Sequence, residues 1–133
     1  MTDSLAYGFK KTITASVEDA EQRVRAALKD EGFGVLTEID IKSAFKEKLD
    51  VDVKPYKILG ACNPPLAHQA ITEDRDIGLL LPCNVIVYEG EAAGTSVVAA
   101  LDPVLQLGVS GRGDLGPLAD EVRARLERVI EAV

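Results

Sequence analysis

The two cysteines of this 133-residue chain lie in mirrored tripeptides, Cys62-Asn63-Pro64 and Pro82-Cys83-Asn84. Each tripeptide stands at one end of an apolar run that is typical of a β-strand. Pockets that bind small molecules combine apolar walls with a few convergent polar groups of this kind. The candidate ligand-binding residues in the two tripeptides are Cys62, Asn63, Cys83 and Asn84.

His68, the single histidine, follows the first tripeptide closely. With the two thiols it gives a predicted metal set of Cys62, His68 and Cys83, the number of protein ligands that a catalytic zinc ion uses. Such ligands suit a soft metal ion, but their spacing matches no zinc motif and the chain has no Cys-x-x-Cys pair. His68 could instead deprotonate the Cys62 thiol if residues 65–73 form a short helix. The alternative is that His68 faces solvent with no thiol nearby.

Two motifs near the end of the chain are weaker candidates for a site. Asp102-Pro103 most simply ends a strand, although a site at the strand ends could include the Asp102 carboxylate. Residues 111–116 match the pattern Gly-x-Gly-x-x-Gly of dinucleotide-binding proteins. That fingerprint requires a following βαβ unit. Only one helix follows here, so we expect no dinucleotide site.

Composition predicts a single domain over residues 1–133. The hydrophobic fraction of 47% and the charged fraction of 28% are ordinary for a globular protein. The net charge of −7 argues against nucleic-acid binding, which needs clustered Lys and Arg. No apolar run approaches the roughly 20 residues of a membrane span, and the N-terminus resembles no secretion signal. We therefore expect a cytoplasmic protein with free thiols and with neither nucleic acid nor membrane as a partner.

Hydrophobic spacing predicts the elements that position these residues. Apolar residues at alternate positions indicate strands, and apolar residues three or four apart indicate helices. Strands are predicted at residues 7–14, 35–40, 56–62, 84–89 and 95–101, with Tyr7, Phe9 and Ile13 sharing one face of the first. Long helices are predicted from residue 17 to a stop at Gly32 and from residue 115 to 133, short helices at residues 41–49 and 65–73, and a glycine-rich loop after Asp102-Pro103.

This order of elements predicts an α+β fold. The expected architecture is a two-layer sandwich, in which a mainly antiparallel sheet carries the two long helices on one face. The other face, or an edge strand, would then be exposed in an apolar chain. We therefore expect a ligand or a second subunit there, and we predict a homodimer because closed twofold pairing is the commonest way to cover such a surface.

The double-cysteine block, residues 56–70 followed by residues 77–85, resembles a bacterial family known as domain of unknown function 302. Lys57, His68, Asp102-Pro103 and both cysteine tripeptides stand where the family's pattern has them. The resemblance extends over nearly the whole chain. It implies a β-α-β4-α fold, similar to the TATA-binding-protein-like and helix-grip architectures, with one or two additional short helices. It implies no reaction.

Three functions stay open at this point. The first is a homodimer that binds a small ligand or a metal ion at a two-cysteine site, with Asp102 as a further candidate. The second is an interaction module in which the cysteines only pack. The third is a thiol-dependent enzyme, redox or nucleophilic, that uses Cys62 or Cys83. Any site that uses both cysteines requires the two sulfur atoms to lie at the same rim of the sheet.

Overall fold

Six strands form one antiparallel sheet in the computed structural model, which describes residues 2–133. The order across the sheet is β1-β2-β6-β5-β4-β3, and every neighbouring pair is antiparallel. The edge strands are therefore β1 and β3. The strands are β1 (Asp3–Leu5), β2 (Gly8–Thr14), β3 (Gly34–Asp40), β4 (Tyr56–Cys62), β5 (Cys83–Glu89) and β6 (Thr95–Leu101).

The two long helices, α1 and α5, pack against each other and against one face of the sheet. Leu28 of α1 and Leu126 and Ile130 of α5 are fully buried. This arrangement confirms the predicted α+β fold with a mainly antiparallel sheet. The helices are α1 (Val17–Asp30), α2 (Ile41–Leu49), α3 (Pro64–Glu73), α4 (Pro103–Gly108) and α5 (Gly116–Ala132), with 3-10 helices at Arg75–Leu80 and Gly113–Leu115.

Helix α1 has the ends that its sequence predicts. The Ser16 side chain accepts a hydrogen bond from the backbone N–H of Asp19 at 3.1 Å, which caps the first turn. After the helix, Gly32 has a φ of +85°, a left-handed conformation that glycine adopts without strain. The chain can therefore turn back and enter β3.

Strand alternation divides the side chains of the sheet into two sets. Leu59, Ala61 and Val85 face the long helices and are fully buried. Residues of the other set, such as Ile58 and Tyr88, share a shallow groove with the short helix α2. The interior between the long helices and the sheet is therefore the main core of the protein.

Several elements differ from the sequence prediction. Strand β1 was not predicted, because its three residues are too short and too polar to show alternation. Tyr7 lies in the turn after it and is 65% exposed, so it does not share the buried face of Phe9 and Ile13. Residues 103–108 form α4 instead of a loop, since Asp102 caps this helix through the backbone N–H of Val104 at 2.9 Å.

Candidate functional site

The two cysteines lie at the same rim of the sheet. Strand β4 ends at Cys62 and the adjacent strand β5 begins at Cys83, with Ala61 and Cys83 as partners in the register. Cys62 is thus one register step from Cys83 on a neighbouring strand. The connection between the two strands consists of α3 and the 3-10 helix Arg75–Leu80, residues 64–80, which we call the cap.

A cavity of about 290 Å³ lies between this rim, the cap and the first turns of α5. Its inner wall is buried and comes from elements far apart in the chain, since Leu118 and Val122 belong to α5. The cavity is lined by Phe33, Leu36, Thr37, Ala61, Cys62, Asn63, Leu66, Ala67, Ala70, Ile71, Gly78, Leu81, Pro82, Cys83, Leu107, Leu118 and Val122.

Small side chains explain why this space is not filled. Ala61 on the sheet and Ala67 and Ala70 on α3 contribute only methyl groups to the wall, and Gly78 contributes no side chain. Protein interiors are otherwise packed as densely as organic crystals. A gap of this size therefore arises where small residues of the cap meet small residues of the rim.

Thr37 and Pro82, which both line the cavity, lie close to Gly60 of β4. A Cβ atom at Gly60 would overlap Thr37 Oγ1 and would lie 2.9 Å from Pro82 Cγ. Only glycine at position 60 leaves room for both the Thr37 and the Pro82 side chains here. Alternation directs Cys62 and Cys83 to opposite faces of the sheet, and both can line one cavity since it opens around the strand ends.

Among residues 2–133, none with an ionisable carboxylate, amine, guanidinium or imidazole lines the cavity. Apart from the two thiols, its polar side chains are those of Asn63 and Thr37. Moving a charged ligand from water into such surroundings is costly when no opposite charge receives it. The chemistry of the wall therefore favours an uncharged, mainly apolar molecule.

Asn63 links the cavity to the cap. Its side chain is buried, and its Oδ1 atom accepts a hydrogen bond from the backbone N–H of Leu66 at 3.3 Å. This contact caps α3, which also begins with proline at its first positions. Asn63 thus has a structural role in starting the cap as well as a place in the cavity wall.

Both thiols are in environments that favour the protonated form. Burial raises the pKa of Cys83 to about 11, and the nearby Cys62 adds to the shift. Cys62 is half-buried, and burial raises its pKa as well. Because the thiolate is the nucleophile, neither cysteine is activated for nucleophilic attack at neutral pH.

Two side chains outside the sheet hold the cap in place. The Gln106 amide of α4 donates to the backbone carbonyls of Leu80 and Pro82, the latter at 3.1 Å. The Arg112 guanidinium donates to the backbone carbonyl of Glu73 at 3.1 Å and lies 3.5 Å from the Asp74 carboxylate. The segment that follows β6 thus fastens the cap from outside.

His68 is not at this cavity. It is exposed on α3, and it does not line the space that contains Cys62 and Cys83. Among residues 2–133, no group of three or more His, Cys, Asp or Glu side chains is placed to hold a metal ion. The predicted metal set of Cys62, His68 and Cys83 is therefore not assembled, because the helical turn of α3 directs His68 to solvent.

Asn84 and Asp102 also lie outside the cavity. Asn84 is exposed and stands opposite Gly60 in the register, on the sheet face away from the long helices. Asp102 caps α4, and one of its oxygens lies 3.6 Å from the Arg123 guanidinium. Of the six candidate ligand-binding residues, the structure brings together Cys62, Asn63 and Cys83.

Most of the cavity wall was missed in the sequence. The missed residues are apolar, and each is equally typical of an ordinary core position. One signal was available, since Ala67 and Ala70 place two small residues three apart on α3. Gln106 gave no signal, because its partners are backbone carbonyls about 25 residues away along the chain.

Comparison with known proteins identifies a family and similar solved structures. The family model described as "Domain of unknown function DUF302" matches residues 9–133. A crystal structure of the uncharacterized conserved protein DUF302 from Bacillus stearothermophilus is 26% identical to this chain. That alignment covers 96% of this chain and 98% of the other, with a TM-score of 0.87. No curated protein matches the chain.

Proposed function

This chain belongs to the DUF302 family, whose function is unknown, and from the geometry of its cavity we propose that it binds a small, uncharged, apolar molecule. The observation that carries the proposal is the wall of the cavity, which is apolar and without ionisable carboxylate, amine, guanidinium or imidazole groups. Family membership and the matched fold confirm the resemblance seen in the sequence, but they assign no ligand.

The size of the cavity supports a ligand larger than a single ring. An apolar protein cavity of about 150 Å³ is enough to bind benzene. The cavity here, at about 290 Å³, has roughly twice that volume. A molecule with two fused rings or a chain of comparable bulk would fill it, and burial of its hydrocarbon surface would provide the binding free energy.

The two thiols fit this proposal better than they fit catalysis. Their raised pKa values leave them protonated at neutral pH, and His68, the only histidine, is exposed away from the cavity. Protonated thiols are weakly polar and pack like small hydrophobic groups. Cys62 and Cys83 therefore serve as part of an apolar wall, with Asn63 as the adjacent polar group.

A pair of fluorescent probes tests the proposal directly. N-phenyl-1-naphthylamine is uncharged, and 8-anilino-1-naphthalenesulfonate has the same ring skeleton with one added sulfonate. We expect the uncharged probe to bind with one-to-one stoichiometry and at least tenfold more tightly, because the wall provides no partner for the sulfonate. Equal affinity for the two probes, or no saturable binding of the first, would refute the proposal.

Two variants locate the bound probe. Ala70→Phe fills the cavity from the cap, where Ala70 is buried and lines the wall, and it should weaken binding of the uncharged probe at least tenfold. Ala93→Phe adds the same side chain to the exposed hairpin loop and should leave binding unchanged. Thermal unfolding of both variants checks that loss of binding is not loss of folding. If Ala70→Phe unfolds, Ala67→Phe at a half-buried wall position takes its place.

We also propose that the protein is a homodimer, as the sequence predicts. Strand β3 is an edge strand, and its side chain Ile39, which is paired with Ile58 and does not line the cavity, is 49% exposed. Exposed apolar groups on an edge strand favour pairing with a second chain. Analytical ultracentrifugation at micromolar concentration should show a dimer, and a monomer alone would contradict the proposal.

The cytoplasmic location stays a prediction. No helix among residues 2–133 is long and apolar enough to cross a membrane.

A further inference from the structure

We propose that the ligand has a linear hydrocarbon chain, which enters the cavity by its methyl end and extends out across an apolar mouth. This inference rests on the proposed function and adds to it the class of ligand. The mouth is formed by Leu36 of β3 and Ile71 of α3, both of which line the cavity. Both side chains are also partly exposed, so the apolar wall reaches the surface at this point.

Leu36 is directed to the mouth by an irregularity in β3. The register between β3 and β4 shifts between Val35 and Thr37, so that Leu36 is an extra residue without a partner. A β-bulge of this kind re-aims the side chain that it contains. Leu36 consequently lines the cavity while 66% of its surface stays exposed.

The cap provides the other side of the mouth. Ile71 lines the cavity and is 43% exposed, so part of this apolar side chain lies at the surface. An apolar path therefore leads from the buried wall to the surface. A compact ligand that fits inside the cavity would leave this path in water, whereas a longer chain would cover it.

The wall determines which end of the ligand goes in first. Leu107, Leu118 and Val122 form the part supplied by α4 and α5, and they provide no hydrogen-bonding side chain. The polar side chains Thr37 and Asn63 belong to the rim and to the β3 edge. A polar head group inside the inner wall would lose its hydrogen bonds to water without replacement, so the methyl end lies inside.

A series of straight-chain 1-alkanols from six to fourteen carbons tests the inference, with displacement of N-phenyl-1-naphthylamine as the readout. Each methylene buried should tighten binding about fourfold. We expect the gain to continue past the chain length at which a compact ligand would fill the cavity. In Leu36→Ser and Ile71→Ser, the gain should stop at a shorter chain than in the wild type.

Leu49→Ser is the matched control, because Leu49 on α2 is 65% exposed, almost as much as Leu36, and does not line the cavity. It should leave the affinities of the whole alkanol series unchanged.

If affinity stops rising at the same chain length in the wild type and in Leu36→Ser, the inference is overturned, and probe binding would then support a compact ligand. Failure of both hexanol and the probe to bind would instead refute the proposed function. Conversion of a dimer to a monomer by Leu36→Ser, with the plateau unchanged, would overturn the inference in favour of a subunit interface at the mouth.

Discussion

The two ends of β4 lie at opposite rims of one sheet and are bordered by side chains of opposite character. At the first end, Lys57 lies 3.2 Å from the Glu21 carboxylate of α1 and also donates to Glu38 of β3. Arg25 of α1 joins the same group, 3.0 Å from Glu38. At the other end, around Cys62, none of the described residues that line the cavity is charged.

The difference between the charged and the apolar end shows how the edges of the space between the helices and the sheet are shielded from water. Charged side chains at a rim can hydrogen-bond to one another and to water. The ion pairs at the Lys57 end therefore do not require another element of the fold to bury them. The apolar rim at the Cys62 end needs one, and the chain provides it by inserting the cap between β4 and β5. Small residues of the cap leave the interior incompletely filled, and an apolar cavity arises at this end. The pocket at the Lys57 end is instead lined by charged side chains, including Glu21 and Lys57.

The largest expected effect tests whether the Cys62 end is underpacked. Leu126 and Leu118 lie on the same helix, but Leu126 is fully buried among core residues whereas Leu118 borders the cavity. Leu126→Ala should lower the free energy of unfolding by about 3–5 kcal/mol. Leu118→Ala should lower it by only about 1–2 kcal/mol, since one side of Leu118 already lacks contacts. Urea unfolding measures both, and equal losses would mean that the cavity is not empty space in solution.

The second prediction concerns the protonation of Cys83. Its pKa of about 11 in the folded protein lies above the ordinary 9.0 of the unfolded chain. The stabilisation that results is complete below pH 9.0 and is lost as the pH rises through 11. Over that range the wild type should lose about 2 kcal/mol more stability than Cys83→Ala. Cys62→Ala, which removes a half-buried thiol, should reduce the pH dependence less, and the reverse order would contradict the assigned burial.

A smaller effect is expected from the charged end. The hydrogen bond to Glu38, and then the one to Glu21, raises the pKa of Lys57 above 10.5. Lys57→Met should therefore cost about 1–2 kcal/mol at neutral pH. The difference from the wild type should persist up to pH 10.5 and shrink as the pH rises through the raised pKa. Lys46→Met, at an exposed ion pair, is the control and should cost less than about 0.5 kcal/mol. Binding of the uncharged probe should not change in either variant.

The smallest expected effect is that of His68→Gln. Since His68 is exposed and does not line the cavity, neither probe affinity nor the rate at which iodoacetamide alkylates Cys62 should change by more than twofold. Mass spectrometry of a Cys83→Ser background gives the rate at Cys62 alone. A large drop in that rate would show that the imidazole reaches the thiol, and it would restore the thiol enzyme as a candidate function.

Local signals in the sequence predicted most of the fold. The spacing of apolar residues in α1, α5 and the strands around Cys62 and Cys83 depends only on the period of a helix or strand, so it can be read without tertiary contacts. The connection from Cys62 to Cys83 also indicated that two neighbouring strand ends could meet at one rim. These features determined the α+β class, the antiparallel sheet and the general position of the candidate site.

Only the tertiary structure decided what that site contains. The direction of His68 depends on how α3 docks, and the position of Leu36 depends on a bulge that alternation cannot reveal. The cavity itself arises because Ala61 and Ala70 meet side chains of α5 that lie about 50 residues away in the chain. Periodicity is a property of neighbours along the backbone, whereas an unfilled space is a property of side-chain volumes brought together from distant segments. For that reason the sequence could identify the rim but not the cavity.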